Sequence, residues 1–487
     1  MEELRKLIQI VEKRAGKPNH IFIYKSKEER LYDEIVNGKI TDDHTGYSIL
    51  YKSGQDGKGL KMIKSRLRKK LMNQLFFLDE DNDDIGAAIE QSCLTKYYQA
   101  KVLVDSGAND LAAPILHQVI KKAKEFDFNY IVSLCTRTLL QVYMNLNERS
   151  KFYKVKEQLE KIAPRLEADQ ESEILFMEAK VELSYSVSAR KNYLTKVKPV
   201  IERLLTIWTE ARTFKAFNNY YRLSVWLHEL QGNFEDIITL TNQFNELTAD
   251  NDAFAKRFDI KFNQFIQVYA YLRCKRLEEG LALANTYYSS FDQSSNNWFA
   301  YMENYILLAI HAKKYDVAHL LLHQVQTNPF IKKINKLAQE RWVIFEAYLH
   351  FVAPQSEQPT KWITLLQNAQ NYSKDKEGFN VAILILQVMY YLEIVDFEAL
   401  EYRVESLKKY AQNHFKDSFS ERSRTFFKLL AVLVRSNFDP LVTQKKGQYL
   451  YTKLQRTPTP GDAYAEIEII PYEHLWELIL ERLKRVN

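Results

Sequence analysis

Residues 306–329 read ILLAIHAKKYDVAHLLLHQVQTNP. An apolar run ends in the polar break HAKK, an aromatic follows at Tyr315, and apolar residues then recur three and four apart. That spacing places one apolar stripe along a helix, so the segment predicts two helices (A, then B) joined by a tight turn. Reading outward, the phrase that opens helix B recurs: a polar or small residue, an aromatic or leucine, then a helix. It stands in NDLAAPILHQVI (109–120), SKFYKVKEQLEKI (150–162), KNYLTKVKPVIERL (191–204), GNFEDIITLTNQF (232–244) and KRLEEGLALANTY (275–287). Beyond the opening segment it returns in TKWITLLQNAQNY (360–372), VDFEALEYRVESL (395–407) and SNFDPLVTQKK (436–446). The anchors Leu111, Phe152, Tyr193, Phe234, Leu277, Tyr315, Trp362, Phe397 and Phe438 lie 35 to 47 residues apart, about 41 on average. A unit of that length holds two helices of four to five turns and two short connections. One such hairpin cannot bury its apolar face alone, but stacked neighbours can. The expectation is an all-α chain in which residues 87–455 form an α-solenoid of about nine helical hairpins.

Composition agrees. Thirteen glycines and eleven prolines make up about 5% of the 487 residues, against a usual share of about 12%. A large parallel α/β enzyme or an all-β sandwich needs more turn glycines than this. Seven of the thirteen glycines lie in the first 86 residues, and none lies between Gly107 and Gly232. That asymmetry divides the chain into a module at 1–86, the solenoid at 87–455, and a linker with a terminal helix at 456–487.

The segment 306–329 resembles a tetratricopeptide-repeat (TPR) junction. Tyr315 stands where that family has its aromatic after the A–B turn, Ala318 where helix B has its small residue, and Pro329 near the closing proline. WLHELQGNFEDIITLTNQF (226–244) is similar, with Gly232 and Phe234 in the turn. The period is longer than the 34 residues of that family, and HEAT-like repeats share the longer spacing. The resemblance implies a right-handed superhelix whose concave face, lined by the A helices, binds a protein or peptide. By position relative to the anchors, it implies Arg137, Asn219, Arg222, Trp226 and Glu303 as groove residues.

The ends differ from the body. Residues 1–78 carry 17 basic and 10 acidic side chains, whereas DEDNDD (79–84) holds five acids and no base. The remainder is nearly balanced, which does not suit a nucleic-acid groove. Within the N-terminal α or α+β module, Leu60, Ile63, Leu67, Leu71, Leu75 and Leu78 share one helix face. Lys58, Lys61, Lys64, Arg66, Arg68, Lys69 and Lys70 cover the rest, and SRLRKKL (65–71) is similar to the recognition helix of winged-helix response regulators. That resemblance implies nucleic-acid contacts from Lys61, Lys64, Arg66, Arg68, Lys69 and Lys70. The competing reading is an amphipathic capping helix whose basic face is neutralised by the acidic loop. At the other end, RTPTPGDAYAEIEIIPYEHLWELILERLKRVN (456–487) reads as a linker and a final helix bearing Leu475, Leu478, Ile479, Leu480 and Leu483. Pro471 and Glu473 suit its start, and Lys484 and Arg485 its end. It either caps the last repeat or docks on a partner.

Chemistry is sparse. GQDGKGL (54–60) fails as a phosphate-binding loop, because Lys52 and Gly59 occupy positions that need Gly and Ser/Thr. Metallopeptidase, hydrolase, dinucleotide and kinase motifs are not found. His319 and His323 are four apart on one helix, but two imidazoles need further ligands and only His311 is near in sequence. No metal or other cofactor is expected. Cys93, Cys135 and Cys274 are too widely spaced for a CxxC site and read as free core thiols. The sixty-three aromatics read chiefly as repeat core. The charged N-terminus MEELRKLIQIVEKRAGK lacks a secretory h-region, and no run of 18 apolar residues occurs. The expectation is a cytoplasmic, non-enzymatic scaffold that binds a protein or peptide and no membrane, its oligomeric state open. The alternative is a regulator with an N-terminal nucleic-acid-binding module and a helical sensor region.

Overall fold

The computed structural model describes residues 1–15, 22, 25–51, 58–75, 85–185, 187–249, 251–354, 377–414, 421–458 and 468–486. Among them all regular structure is helical, so the described part of the N-terminal module is α and holds no strand. The chain is a helical-repeat protein in which neighbouring helices pack in sequence order. No helix among the described residues is long and apolar enough to cross a membrane.

The repeat is written in its turns. Helix B opens at the predicted anchor in Phe234–Ala249, Leu277–Tyr287, Tyr315–Thr327 and Phe397–His414. Leu111 and Phe152 fall in the first turns of Asn109–Glu125 and Arg149–Tyr185, and Phe438 precedes Pro440–Arg456. Gly107, Asn147, Gly232, Lys275, Lys313 and Val395, each just before a B helix, adopt φ between 54° and 82°. In each turn that residue donates its N–H to the carbonyl three back, and the next residue donates to the carbonyl five back. For Asn147 and Glu148 the acceptors are Met144 and Tyr143, at 3.2 and 2.9 Å. This is the Schellman closure, which satisfies the orphan carbonyls of helix A and re-aims the chain into helix B. Glycine fills the left-handed position in only two of the six turns, which accounts for the glycine-poor body.

Two anchors behave otherwise. Tyr193 does not open a helix: Arg149–Tyr185 runs 37 residues without a turn, through Pro164, and Tyr193 sits near the end of Val187–Leu194. A B helix and the following A helix are thereby fused, and Val197–Ala211 begins the next element. Trp362 lies outside the described residues, as do Gly54 and Gly57 of the failed phosphate loop, Leu78 and the acidic run 79–84.

The chain divides into two compact units: Met1–Ile174 with Thr206–Phe217 and Asn251–Arg257, and Leu175–Leu205 with Asn218–Asp250 and Phe258–Asn487. In the first, helices Glu2–Ala15, Lys27–Val36, Asp43–Leu50 and Lys58–Gln74 enclose a core of their own. Leu60, Ile63, Leu67 and Leu71 are buried there against Leu4, Ile8, Leu31 and Ile35, as the periodicity predicts. A second core in this unit joins Ala112, Leu116, Ile131, Cys135 and Leu139. Its outlying segments are clipped by charge. Arg165 Nη2 donates to Asp127 at 2.6 Å, and the backbone N–H of Phe214 donates to the other carboxylate oxygen at 2.6 Å. The Arg257 guanidinium lies over Phe128 and Phe214, 4.5 and 4.2 Å from their centroids, and donates to the Phe126 and Asp127 carbonyls.

The second unit carries the largest core, built from helices Ile260–Arg273, Asn296–His311, Lys336–Val352, Glu377–Glu393, Glu421–Arg435 and Tyr472–Val486. Residues 381–389 are buried without interruption. An A helix enclosed on every side needs apolar residues all round, and VAILILQVMYYL (381–392) supplies them.

Candidate partner-binding face

Arg137, Arg222 and Glu303 occupy one repeat position, ten residues before the left-handed residue that closes each A helix. Arg137 is exposed on Asn129–Asn145 of the first unit. The part of helix Phe214–Gln231 that belongs to the second unit carries Asn219, Arg222 and Trp226. Asn219 is buried, whereas Arg222 is exposed and Trp226, packed against a core cluster, is half-buried. The Arg222 guanidinium lies over the ring of Phe262 on the next A helix, 4.9 Å from its centroid. Such a stack fixes a flexible cation on an aromatic plate. Glu303 is bound to Arg341 of the following A helix at 3.2 Å and is largely buried. Burial pushes its carboxyl up to about 7 against the pull of Arg341.

Further along, the same repeat position changes character. Ile385 and Phe427 stand where Arg222 and Glu303 stood, and both are buried. The chain's own C-terminal helix, Tyr472–Val486, packs on the two A helices that carry them, Glu377–Glu393 and Glu421–Arg435, and on the B helix Pro440–Arg456. Leu475, Trp476, Ile479 and Leu483 are buried in its contact face, and Tyr472 stacks on Phe426 with centroids 4.6 Å apart. Trp476 is admitted by Gly447, where an added Cβ would stand 2.9 Å from the indole.

Charges then register this helix against successive hairpins. Lys275 Nζ meets Glu473 at 2.6 Å, Lys313 Nζ meets Glu477 at 3.3 Å, and Arg482 meets Glu393 at 3.1 Å. Both lysines are the left-handed turn residues themselves. Arg422, wholly buried, donates to Glu468 and Glu473 and to the carbonyls of Leu454 and Thr457. Burial alone would raise the Glu473 carboxyl, but Arg422 and Lys275 hold it down at about 2. His311 Nε2 donates to the Glu468 carbonyl at 2.8 Å, and burial pushes its imidazole down to about 4.

The basic N-terminal helix is partly engaged within its own module. Lys64 bonds Asp43 at 2.7 Å, Arg68 bonds Glu3 at 2.9 Å, and Arg66 stands 3.8 Å from Glu28. Lys70 lies over Phe22 at 6.0 Å, while Lys61 and Lys69 stay exposed. His319 Nε2 donates to the Ala353 carbonyl at 2.9 Å. No cluster of three or more metal-ligating side chains occurs among the described residues. Burial pushes the thiols of Cys135 and Cys274 up to about 12, so neither is an activated nucleophile.

Sequence reading missed Arg422, whose partners lie 32 to 51 residues away. One signal was present. An A helix apolar on all sides, as at 381–392, requires a cover that the hairpin period alone does not supply. The sequence matches no protein-family model and no curated protein.

Proposed function

We propose that this protein is a non-enzymatic, cytoplasmic scaffold or adaptor. In this reading its hairpins form a TPR-like α-solenoid of about nine units, and the A-helix face binds a helical segment of another protein. One observation supports the reading: in the second unit an amphipathic helix, Tyr472–Val486, is held against two A helices and the last B helix by apolar burial and registered ion pairs. The part left open, around Arg222 and Trp226, has the arginine and tryptophan composition of binding hot spots. The nucleic-acid reading ranks second, because three of the six basic side chains it relies on are paired within the module.

The test compares the full chain and its Arg222→Glu/Trp226→Ala variant as baits in the native cell, with quantified recovery. A partner retained by the wild type and depleted about tenfold on the variant is expected, as for loss of a hot-spot pair. Equal recovery on both baits, or none above background, would overturn the reading.

A further inference from the structure

Helix Arg149–Tyr185 is apolar on two opposite faces near its end. Phe176, Ala179 and Leu183 pack into the core with Leu204 and Leu223. Met177, Val181 and Tyr185 lie within about 80° of arc on the other side, and are 54%, 63% and 82% exposed. Exposed Glu178 and Glu182 flank that stripe along one edge. A soluble helix rarely presents an apolar stripe spanning two turns unless something covers it.

The chain also carries the complement. On helix Lys58–Gln74, Leu60, Ile63, Leu67 and Leu71 face inward, while Met62 and Met72 are 56% and 45% exposed on the outside. Exposed Lys61 and Lys69 share that outer face, and residues 58–70 include no acid. At about 1.5 Å of rise per residue, the stripe and the methionine face span about 12 and 15 Å. Between its methionines that outer face carries Ser65 and Lys69, and exposed Lys180 stands on the stripe's other edge; length and the charge of the Glu178–Glu182 edge match.

We propose that two copies of the protein associate through these faces, with helix Lys58–Gln74 of one copy laid along Met177–Tyr185 of the other. An isologous pairing of two stripes in antiparallel register would set the Glu178 and Glu182 edge against its own like, which disfavours it. The heterologous pairing sets Lys61 and Lys69 against those acids. Three turns of helix bury less than a permanent interface requires, so the association is weak, concentration-dependent and salt-sensitive.

Sedimentation velocity on the full chain over a concentration series tests this, at about 50 mM and about 300 mM salt. The average mass is expected to rise with concentration, and more steeply at low salt. Glu178→Lys/Glu182→Lys and Lys61→Glu/Lys69→Glu should each weaken association about tenfold. An equimolar mixture of the two charge-reversed proteins should recover it, because each then offers the other two matched faces. All four positions are exposed, and circular dichroism verifies that the variants keep their helices. A chain monomeric throughout the series, association indifferent to both reversals, or a mixture that fails to recover would overturn the proposal.

Discussion

Arg422 Nε and Nη2 donate to the two carboxylate oxygens of Glu468, at 2.6 and 2.8 Å, with the guanidinium fully removed from solvent. The same group binds Glu473 on the terminal helix and two carbonyls at the end of the last B helix. A fork of five donors thus joins three segments at one point, a geometry that lysine cannot copy. The terminal helix is in this sense a built part of the second unit and not a frayed end.

Removing Arg422 leaves two carboxylates and two carbonyls facing one another in the interior. Arg422→Ala is expected to destabilise the second unit by about 3–5 kcal/mol, read as a lowered denaturation midpoint. Limited proteolysis should then cleave near residue 468 before the wild type is cut. A loss below about 1 kcal/mol would mean that Glu468 and Glu473 regain water, contrary to the enclosed cluster described above.

His311 and Glu303 contribute to the pH dependence with opposite signs. The folded pKa of His311, about 4, lies below the ordinary imidazole value of about 6.5 because burial disfavours the imidazolium. Between those values the unfolded chain binds the extra proton, so the contribution of His311 to stability is full above about pH 6.5 and is lost as pH drops towards 4. The span of the shift corresponds to about 3 kcal/mol. His474 of the terminal helix is depressed by burial in the same direction. Glu473, held at about 2, adds a loss that begins near pH 4.5 and continues downward. Burial holds the Glu303 carboxyl up at about 7, so over the same range it contributes the opposite slope. In denaturant melts from about pH 7.5 to about pH 3.5, His311→Gln should therefore lose less stability than the wild type, or gain some, as pH falls from about 6.5 to about 4.5, while leaving the Glu473 limb at lower pH.

Gly447→Ala sets two effects of opposite sign against each other. Alanine is the better helix former by about 1 kcal/mol. Its Cβ would stand 2.9 Å from Trp476 Cζ2 and 3.2 Å from Leu429 Cδ2, both inside the core. Overpacking of this kind costs about 1–3 kcal/mol, and an indole held on Tyr472–Val486 has little room to retreat. A net loss in thermal stability with altered tryptophan fluorescence is expected. A raised Tm would mean that the terminal helix shifts freely.

How much of this was legible beforehand differs between turn and tertiary contact. The aromatic or leucine after the A–B turn marks Phe234, Leu277, Tyr315 and Phe397 correctly because it is the first residue of a helix set by a local Schellman closure. Tyr193 misleads because nothing local ends Arg149–Tyr185: Pro164 removes one donor, yet the helix runs on through it. Arg222 and Trp226 were placed by repeat register, while Asn219 on the same helix is buried, a difference the period cannot resolve. The seat of the terminal helix depends on pairs such as Lys275 with Glu473, 198 residues apart, which no spacing rule reaches.

Val395 is the costliest of the six turn residues. A β-branched side chain at φ 59° crowds the backbone, at about 1–2 kcal/mol relative to glycine. The side chain is 43% exposed, so truncating it forfeits little burial. Glycine loosens the unfolded chain by about 0.5–1 kcal/mol in return. The expected result for Val395→Gly is a net gain of about 0.5–1 kcal/mol in denaturant melts. Lys313→Gly relieves a similar strain at φ 57° but breaks the ion pair to Glu477. That exposed pair contributes about 0–1 kcal/mol, so the second variant should come out near neutral. A loss on Val395→Gly would show that the left-handed turn is held by contacts of the valine and not in spite of it.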